Sequence, residues 1–266
     1  MKKSYWKMVL RTVKGSLSRF IAILAITALG VGFLTGLLCT APDMKNSVDR
    51  YYDENSFMDI DLKSSMGLTG EDLEAVAAAD GVLAVTGVYQ TDALAELASG
   101  ESGAGRFLAI DFSAGEAEAV NSLTLTEGRY PEKAGECVQI VVDPFSEYAS
   151  VGDVVIVTPE EDDEDLFVET ELMVVGLVTS PLYMSTDAES SSVGNGSVAA
   201  YFYVDRQEFD TEIYTDFFVM LTDAAALSTF TDEYDDLVDD GVTTLEDLGG
   251  DAASRSLGES DWGSLG

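Results

Sequence analysis

From Phe20 to Leu38 the chain reads FIAILAITALGVGFLTGLL, a run with no charge and two threonines as its only polar side chains. At about 1.5 Å per residue this spans the ~30 Å hydrocarbon layer of a bilayer, and a membrane helix over 20–40 is predicted. A secretory signal is the competing reading, but its apolar core runs only about 7–15 residues before a small-residue cleavage site. Gly36-Leu37-Leu38-Cys39 is a weak match to a lipoprotein cleavage site, with Leu38 where a small residue is expected. Ala28, Gly32, Gly36 and Thr40 recur every fourth residue and predict a stripe along which a second helix can approach closely. Glycine is also simply common in membrane helices, so the stripe alone does not require a partner.

Before the span, residues 1–19 place Trp6, Val9, Leu10, Val13 and Leu17 near one side at helical spacing. Lys2, Lys3, Lys7, Arg11, Lys14 and Arg19 supply the cations of this arm. A basic amphipathic helix lying on the inner membrane surface, contacting anionic lipid, is one reading; a plain positive flank that fixes topology is the other.

After the span, Ala41-Pro42-Asp43 ends the apolar run, and 43–54 has the balance of a short polar helix. Phe57–Leu62 alternates as a strand. Leu68 to Ala79 reads as a helix with Thr69 as N-cap before Glu71 and Asp72, ended by Asp80-Gly81. Strands are predicted over 82–88, 106–112, 137–142, 151–157, 172–178, 199–204 and 217–221, and an amphipathic helix over 225–238 with Leu227, Phe230, Tyr234 and Leu237 on one stripe. Helices do not alternate regularly with strands, so the expected class is α+β: a mixed, sheet-rich domain over 41–240 on a single N-terminal membrane helix. Residues 241–266, rich in Gly, Ser and acid, are expected to be a disordered tail.

Charge sharpens this division. The six cations of the arm all precede Phe20, whereas the segment after Thr40 holds eight basic residues and all 49 acidic ones, a net of −41 in a chain of −35. The positive-inside rule therefore predicts a cytoplasmic N-terminus and an extracytoplasmic domain in a single-pass cell-membrane protein. Such acidity excludes nucleic-acid binding. With no His, triads and His-bearing zinc or haem sites fall away, and Cys39 and Cys137 are too few for a disulfide framework or a thiolate cage.

Two motifs invite chemistry and neither supports it. The acidic run 162–165 lacks EF-hand spacing and reads as a solvated loop. Gly194-Asn195-Gly196-Ser197-Val198-Ala199 fits a dinucleotide pattern, but a strand rather than a helix is predicted to follow it. There is no phosphate-binding Gly-x-x-x-x-Gly-Lys-Ser/Thr motif, so energy from ATP has to come from another chain. No catalytic residue, cofactor site or metal site is expected, and the chain is not expected to be an enzyme.

Several stretches taken in order resemble the N-terminal part of an FtsX-like, MacB-type ABC transporter permease: SRFIAILAITALGVGFLTGL, APDMKNSVDRYYDENSFMDIDLKSSMGLTGEDLEAV, EGRYPEKAGE, VGDVVIV, LMVVGLVTSPLYMS and GNGSVAAYFYV, over about 1–240. The resemblance implies a first membrane helix leading into an extracytoplasmic domain of the MacB-like periplasmic core type. It further implies partners in the membrane, an ABC ATPase subunit and further permease helices, in a homo- or hetero-oligomer. No second span follows Leu38, so either a truncated product or one part of a split subunit is expected. At the matched positions Gly128, Pro131 and Gly135 set turns between strands, and Gly152-Asp153 a tight turn into the next strand. The rival from another class is a free-standing, membrane-anchored acidic binding module. A secreted hydrolase requires cleavage near Cys39 and a carboxylate pair that the sequence does not single out.

Overall fold

The computed structural model describes residues 5–8, 11, 15–97, 100–142, 148–159, 166–185 and 187–251. It divides into two compact units, 1–50 and 51–266.

The first unit is dominated by helix α1, Leu17–Glu54. The apolar run ends at Ala41-Pro42-Asp43 as expected, but the polar stretch 43–54 is no separate helix and continues the same one. A proline deletes one backbone donor and crowds the preceding turn, which costs stability without always ending a helix. Hydroxyls follow the same economy: Thr27 and Thr40 donate to the Ile23 and Gly36 carbonyls at 2.9 and 2.8 Å.

In the second unit nine strands are joined among the described residues: β1 (Ile60–Leu68), β2 (Val82–Leu97), β3 (Ser102–Ile110), β4 (Thr124–Gly128), β5 (Glu136–Ile140), β6 (Val154–Thr158), β7 (Glu171–Thr179), β8 (Val198–Asp205) and β9 (Tyr214–Leu221). Helix α2 (Gly70–Ala77) follows β1, and α3 (Asp232–Asp251) follows β9. Thr69 caps α2 in a capping box: its hydroxyl accepts from the Asp72 N–H, and the Asp72 carboxylate accepts from the Thr69 N–H at 2.7 Å.

β2 is the spine. Its first half pairs antiparallel with β9, and β9 with β1, making a three-stranded sheet in which β1 and β2 run parallel across the α2 crossover. Alternation sends Ile60, Leu62, Phe217, Val219 and Leu221 to one face, where Val76 of α2 and Val238 and Leu245 of α3 pack on them. The second half of β2 pairs with β3 on one side and β6 on the other. From β3 the pairing runs to β8, β5, β7 and back to β6, closing a six-stranded barrel with parallel pairs β3–β8 and β5–β7. Its interior is filled by Phe107 stacked on Phe202 at 5.1 Å, with Phe167 edge-on to Phe107 at 5.4 Å and small Ala93, Ala95 and Ala109 opposite.

The helix expected over 225–238 lies later, at Asp232–Asp251, preceded by a 3-10 turn at Ala224–Ala226. Asp232, Glu233 and Asp235 favour a start there, at the positive end of the helix dipole. Residues 241–251, given to the tail by composition, are helical. Gly241 is no terminator: a Cβ there would stand 2.9 Å from Leu221 and 3.2 Å from Ile60, so glycine lets α3 lie close on the sheet. The rest of that tail lies outside the described residues, as does the acidic run 162–165.

Candidate functional site

α1 carries the first candidate surface. Its most apolar 18 residues have a mean hydropathy of 2.3 with none buried. Leu29 and Phe33 are 73% and 71% exposed. Such a surface is costly in water at roughly 25 cal/mol per Å². By length and composition the helix is able to cross a membrane, its backbone polar groups satisfied internally as lipid demands. Ala28, Gly32, Gly36 and Thr40 are exposed, and among the described residues no atom beyond the helix's own neighbouring backbone lies within 4 Å of a Cβ built at Gly32 or Gly36. With the Thr40 hydroxyl turned onto the Gly36 carbonyl, the stripe is small and apolar. Lys7, Arg11 and Arg19 are exposed helical residues; Lys2, Lys3 and Lys14 lie outside the described residues.

The second candidate region is the turn around EGRYPEKAGE. Gly128 adopts φ 76°, and a Cβ there would meet the Val175 carbonyl oxygen at 2.2 Å. Arg129 then sends both terminal nitrogens to the Glu136 carboxylate, each at 2.7 Å, and the Glu132 N–H adds a third bond at 3.1 Å. The Arg129 hydrogen bonds hold the Glu136 carboxyl down at about 2. Tyr130 donates to the Leu123 carbonyl at 2.8 Å, and Pro131 is buried. Gly135, at φ 77°, donates to Glu208, whose carboxylate also accepts from the Glu169 N–H, both at 2.7 Å. Glu208 is 0% exposed, and burial raises its pKa against those two bonds. Gly152, at φ 99°, donates to the Val174 carbonyl at 2.8 Å, and the Asp153 carboxylate accepts from the Ser150 N–H at 2.9 Å. The Glu136 and Glu208 carboxylates are each engaged by two or more donors that lock turns, which leaves them poorly placed to exchange protons with a substrate.

Sequence reasoning missed a third group, on the face of the three-stranded sheet away from the helices. Lys63 on β1 bridges Asp61 at 2.9 Å and Asp216 on β9 at 3.0 Å. The Thr215 hydroxyl donates to Asp216 and accepts from the Gln90 N–H at 2.9 Å, where β2 passes from the sheet to the barrel. One cation thus serves two carboxylates. Burial first, and the charge of Asp216 second, push Asp61 up to about 6 against the pull of Lys63, and its Oδ1 is buried without a partner. The alternation of Asp61 and Lys63 within IDLK was the available signal, lost among 49 acids.

Asp59 accepts from the Tyr234 hydroxyl and the Leu221 N–H, both at 2.7 Å, beside a cavity of about 70 Å³ that Leu83 and Met220 also line. A second cavity, of about 170 Å³, lies between β5 and β8. Burial pushes the Cys137 thiol far up, so it is inert as a nucleophile. Among the described residues no three Cys, Asp or Glu side chains gather as a metal site. Gly194-Asn195-Gly196-Ser197 turns into strand β8.

No family model matches the chain, and no curated protein matches it in sequence. Solved structures similar to it include the extracellular domain of the noncanonical ABC-type transporter YknZ from Gram-positive bacteria: 13% identity, 72% of this chain, 94% of that one, TM-score 0.41. The periplasmic region of MacB from Actinobacillus actinomycetemcomitans is another, at 11% identity over 72% of this chain and 83% of that one, TM-score 0.43.

Proposed function

We propose that the chain carries the first membrane helix and the outer domain of an ABC transporter permease subunit of the FtsX-like, MacB-type family. The observation that carries this reading is α1: an exposed apolar helix long enough for a bilayer that runs unbroken to Glu54, six residues before the first strand of an α+β domain. The ordered stretches from SRFIAIL to GNGSVAAYFYV supply the family.

In this reading the basic arm stays in the cytoplasm and the domain of net −41 lies outside, as the distribution of cations favours. The outer domain meets a substrate or an envelope partner. The stripe of Ala28, Gly32, Gly36 and Thr40 packs against further permease helices, and a separate ATPase subunit hydrolyses ATP. The residues of the Gly128–Glu136 turn and Gly152-Asp153 hold the outer domain in shape and perform no chemistry.

The test is affinity purification of the full chain from its native membrane in mild detergent, with mass spectrometry of what stays bound. Recovery of an ABC ATPase and a multi-helix chain supports the reading. Recovery of this chain alone overturns it in favour of a solitary anchored module.

A further inference from the structure

The barrel wall is incomplete at one place. β5 and β8 pair over three residues only, Cys137–Val204, Val138–Tyr203 and Gln139–Phe202. Beyond Gln139, β5 stays bonded to β7 on its other side, through Ile140–Val178 and the Val141 N–H to the Val178 carbonyl at 2.8 Å. β8 likewise stays paired with β3 down to Val198. Each strand keeps one neighbour and parts from the other, which opens a slit occupied by the cavity of about 170 Å³. Ile140 and Val142 form one lip, Ala199 and Tyr201 the other, and Ser185 and Asp187 also line it.

The size and chemistry of this slit narrow what it takes. At about 170 Å³ it holds about six waters at ~30 Å³ each and falls below the ~300 Å³ of ordinary ligand pockets, so it takes one or two residues of a longer extended segment that continues outside it. Two strand edges that have lost their mutual ladder offer main-chain donors and acceptors to an added strand. Among the described residues the lining holds one carboxylate, Asp187, and no Lys or Arg, within a segment of net −41. An anionic ligand is repelled from such a mouth and a cationic one is drawn in.

We propose that the slit between β5 and β8 receives an extended, Lys- or Arg-bearing peptide segment of a partner protein, laid along the open strand edges with its cation against Asp187. The inference rests on the outer domain meeting an envelope partner, as proposed above, but not on any ATPase.

The test uses the full chain in detergent with two labelled peptides, Val-Lys-Val-Lys-Val and Val-Glu-Val-Glu-Val, followed by fluorescence anisotropy and amide hydrogen exchange. The lysine peptide is expected to bind at least about tenfold more tightly than the glutamate one. Asp187→Lys is expected to reverse that preference, and Val142→Phe, which fills the slit, to abolish binding. Amides of 140–142 and 199–201 should exchange more slowly with peptide bound. Non-specific attraction to the acidic domain gives lysine-peptide binding that both variants leave unchanged, with protection elsewhere, and overturns the proposal. So does the absence of binding of either peptide up to about 1 mM. If Val142→Phe fails to fold, Asp187→Lys at an exposed site and the exchange map decide. Failure to recover an ATPase from membranes leaves these outcomes unaffected.

Discussion

Replacing Asp61 by asparagine is expected to stabilise the outer domain at neutral pH, which is unusual for the loss of an ion pair. The Asp61 carboxyl titrates at about 6 in the fold against 3.8 when free, so the folded protein disfavours the charged form. At ~1.36 kcal/mol per pKa unit the burden of keeping Asp61 ionised is about 3 kcal/mol at pH 7. The sign follows from linkage. For a carboxyl whose pKa is raised by folding, stability is fully present below the unfolded pKa and is lost as pH rises through the folded value, here between about 4 and 6. Asp61→Asn removes that loss. The pull of Lys63 is already contained in the value of about 6, so losing the Asp61–Lys63 contact is not a further cost, and Lys63 keeps Asp216 at 3.0 Å. The expected gain is up to about 3 kcal/mol at pH 7.5, shrinking to nothing at pH 4. Urea unfolding of the full chain in detergent, followed by tryptophan-independent circular dichroism at half-unit pH steps, measures it. Subtracting variant from wild type removes the titration of the other carboxylates. Parallel curves across the window, or a variant clearly less stable at pH 7.5, would refute the assigned burial and the shared-cation geometry.

Gly128→Ala places a Cβ 2.2 Å from the Val175 carbonyl at a φ of 76°, and is expected to cost about 3 kcal/mol or prevent folding, read by urea midpoint or soluble yield. Thr69→Ala breaks the α2 capping box and is expected to lower stability by about 1 kcal/mol with an unchanged unfolding slope. Gly32→Leu with Gly36→Leu is expected to deplete co-purified membrane chains while leaving the melting temperature of the outer domain unmoved; unchanged recovery counts against a packed stripe. With a net charge of −35, the melting temperature is expected to rise as salt is added from low ionic strength, and a salt-independent value contradicts dominant self-repulsion.

Local chemistry was strong enough to mark several elements before any contact was known. The apolar run from Phe20, the Thr69 cap and valine-rich strands expected over 151–157 and 172–178, found at Val154–Thr158 and Glu171–Thr179, declare themselves because burial demands a continuous or alternating pattern. Where tertiary pairing overrides propensity the reading fell short. In β2, ALAEL is composed of good helix formers, yet pairing with β3 and β6 on both sides holds it extended to Leu97. β4, TLTEG, is exposed along its whole length, so no buried face left a pattern to read. The stretch from Gly241 looked like the end of order because it is rich in Gly, Ser and acid; only the nearness of Leu221 and Ile60 shows that Gly241 lets a helix lie there. The candidate site divides in the same way. The α1 stripe follows from a period of four within one helix, which sequence alone fixes. The Asp61–Lys63–Asp216 bridge and the slit between β5 and β8 join residues far apart in the chain. The first depends on the pairing of β1 with β9 in the three-stranded sheet and the second on how the barrel closes between β5 and β8, and neither follows from any local preference.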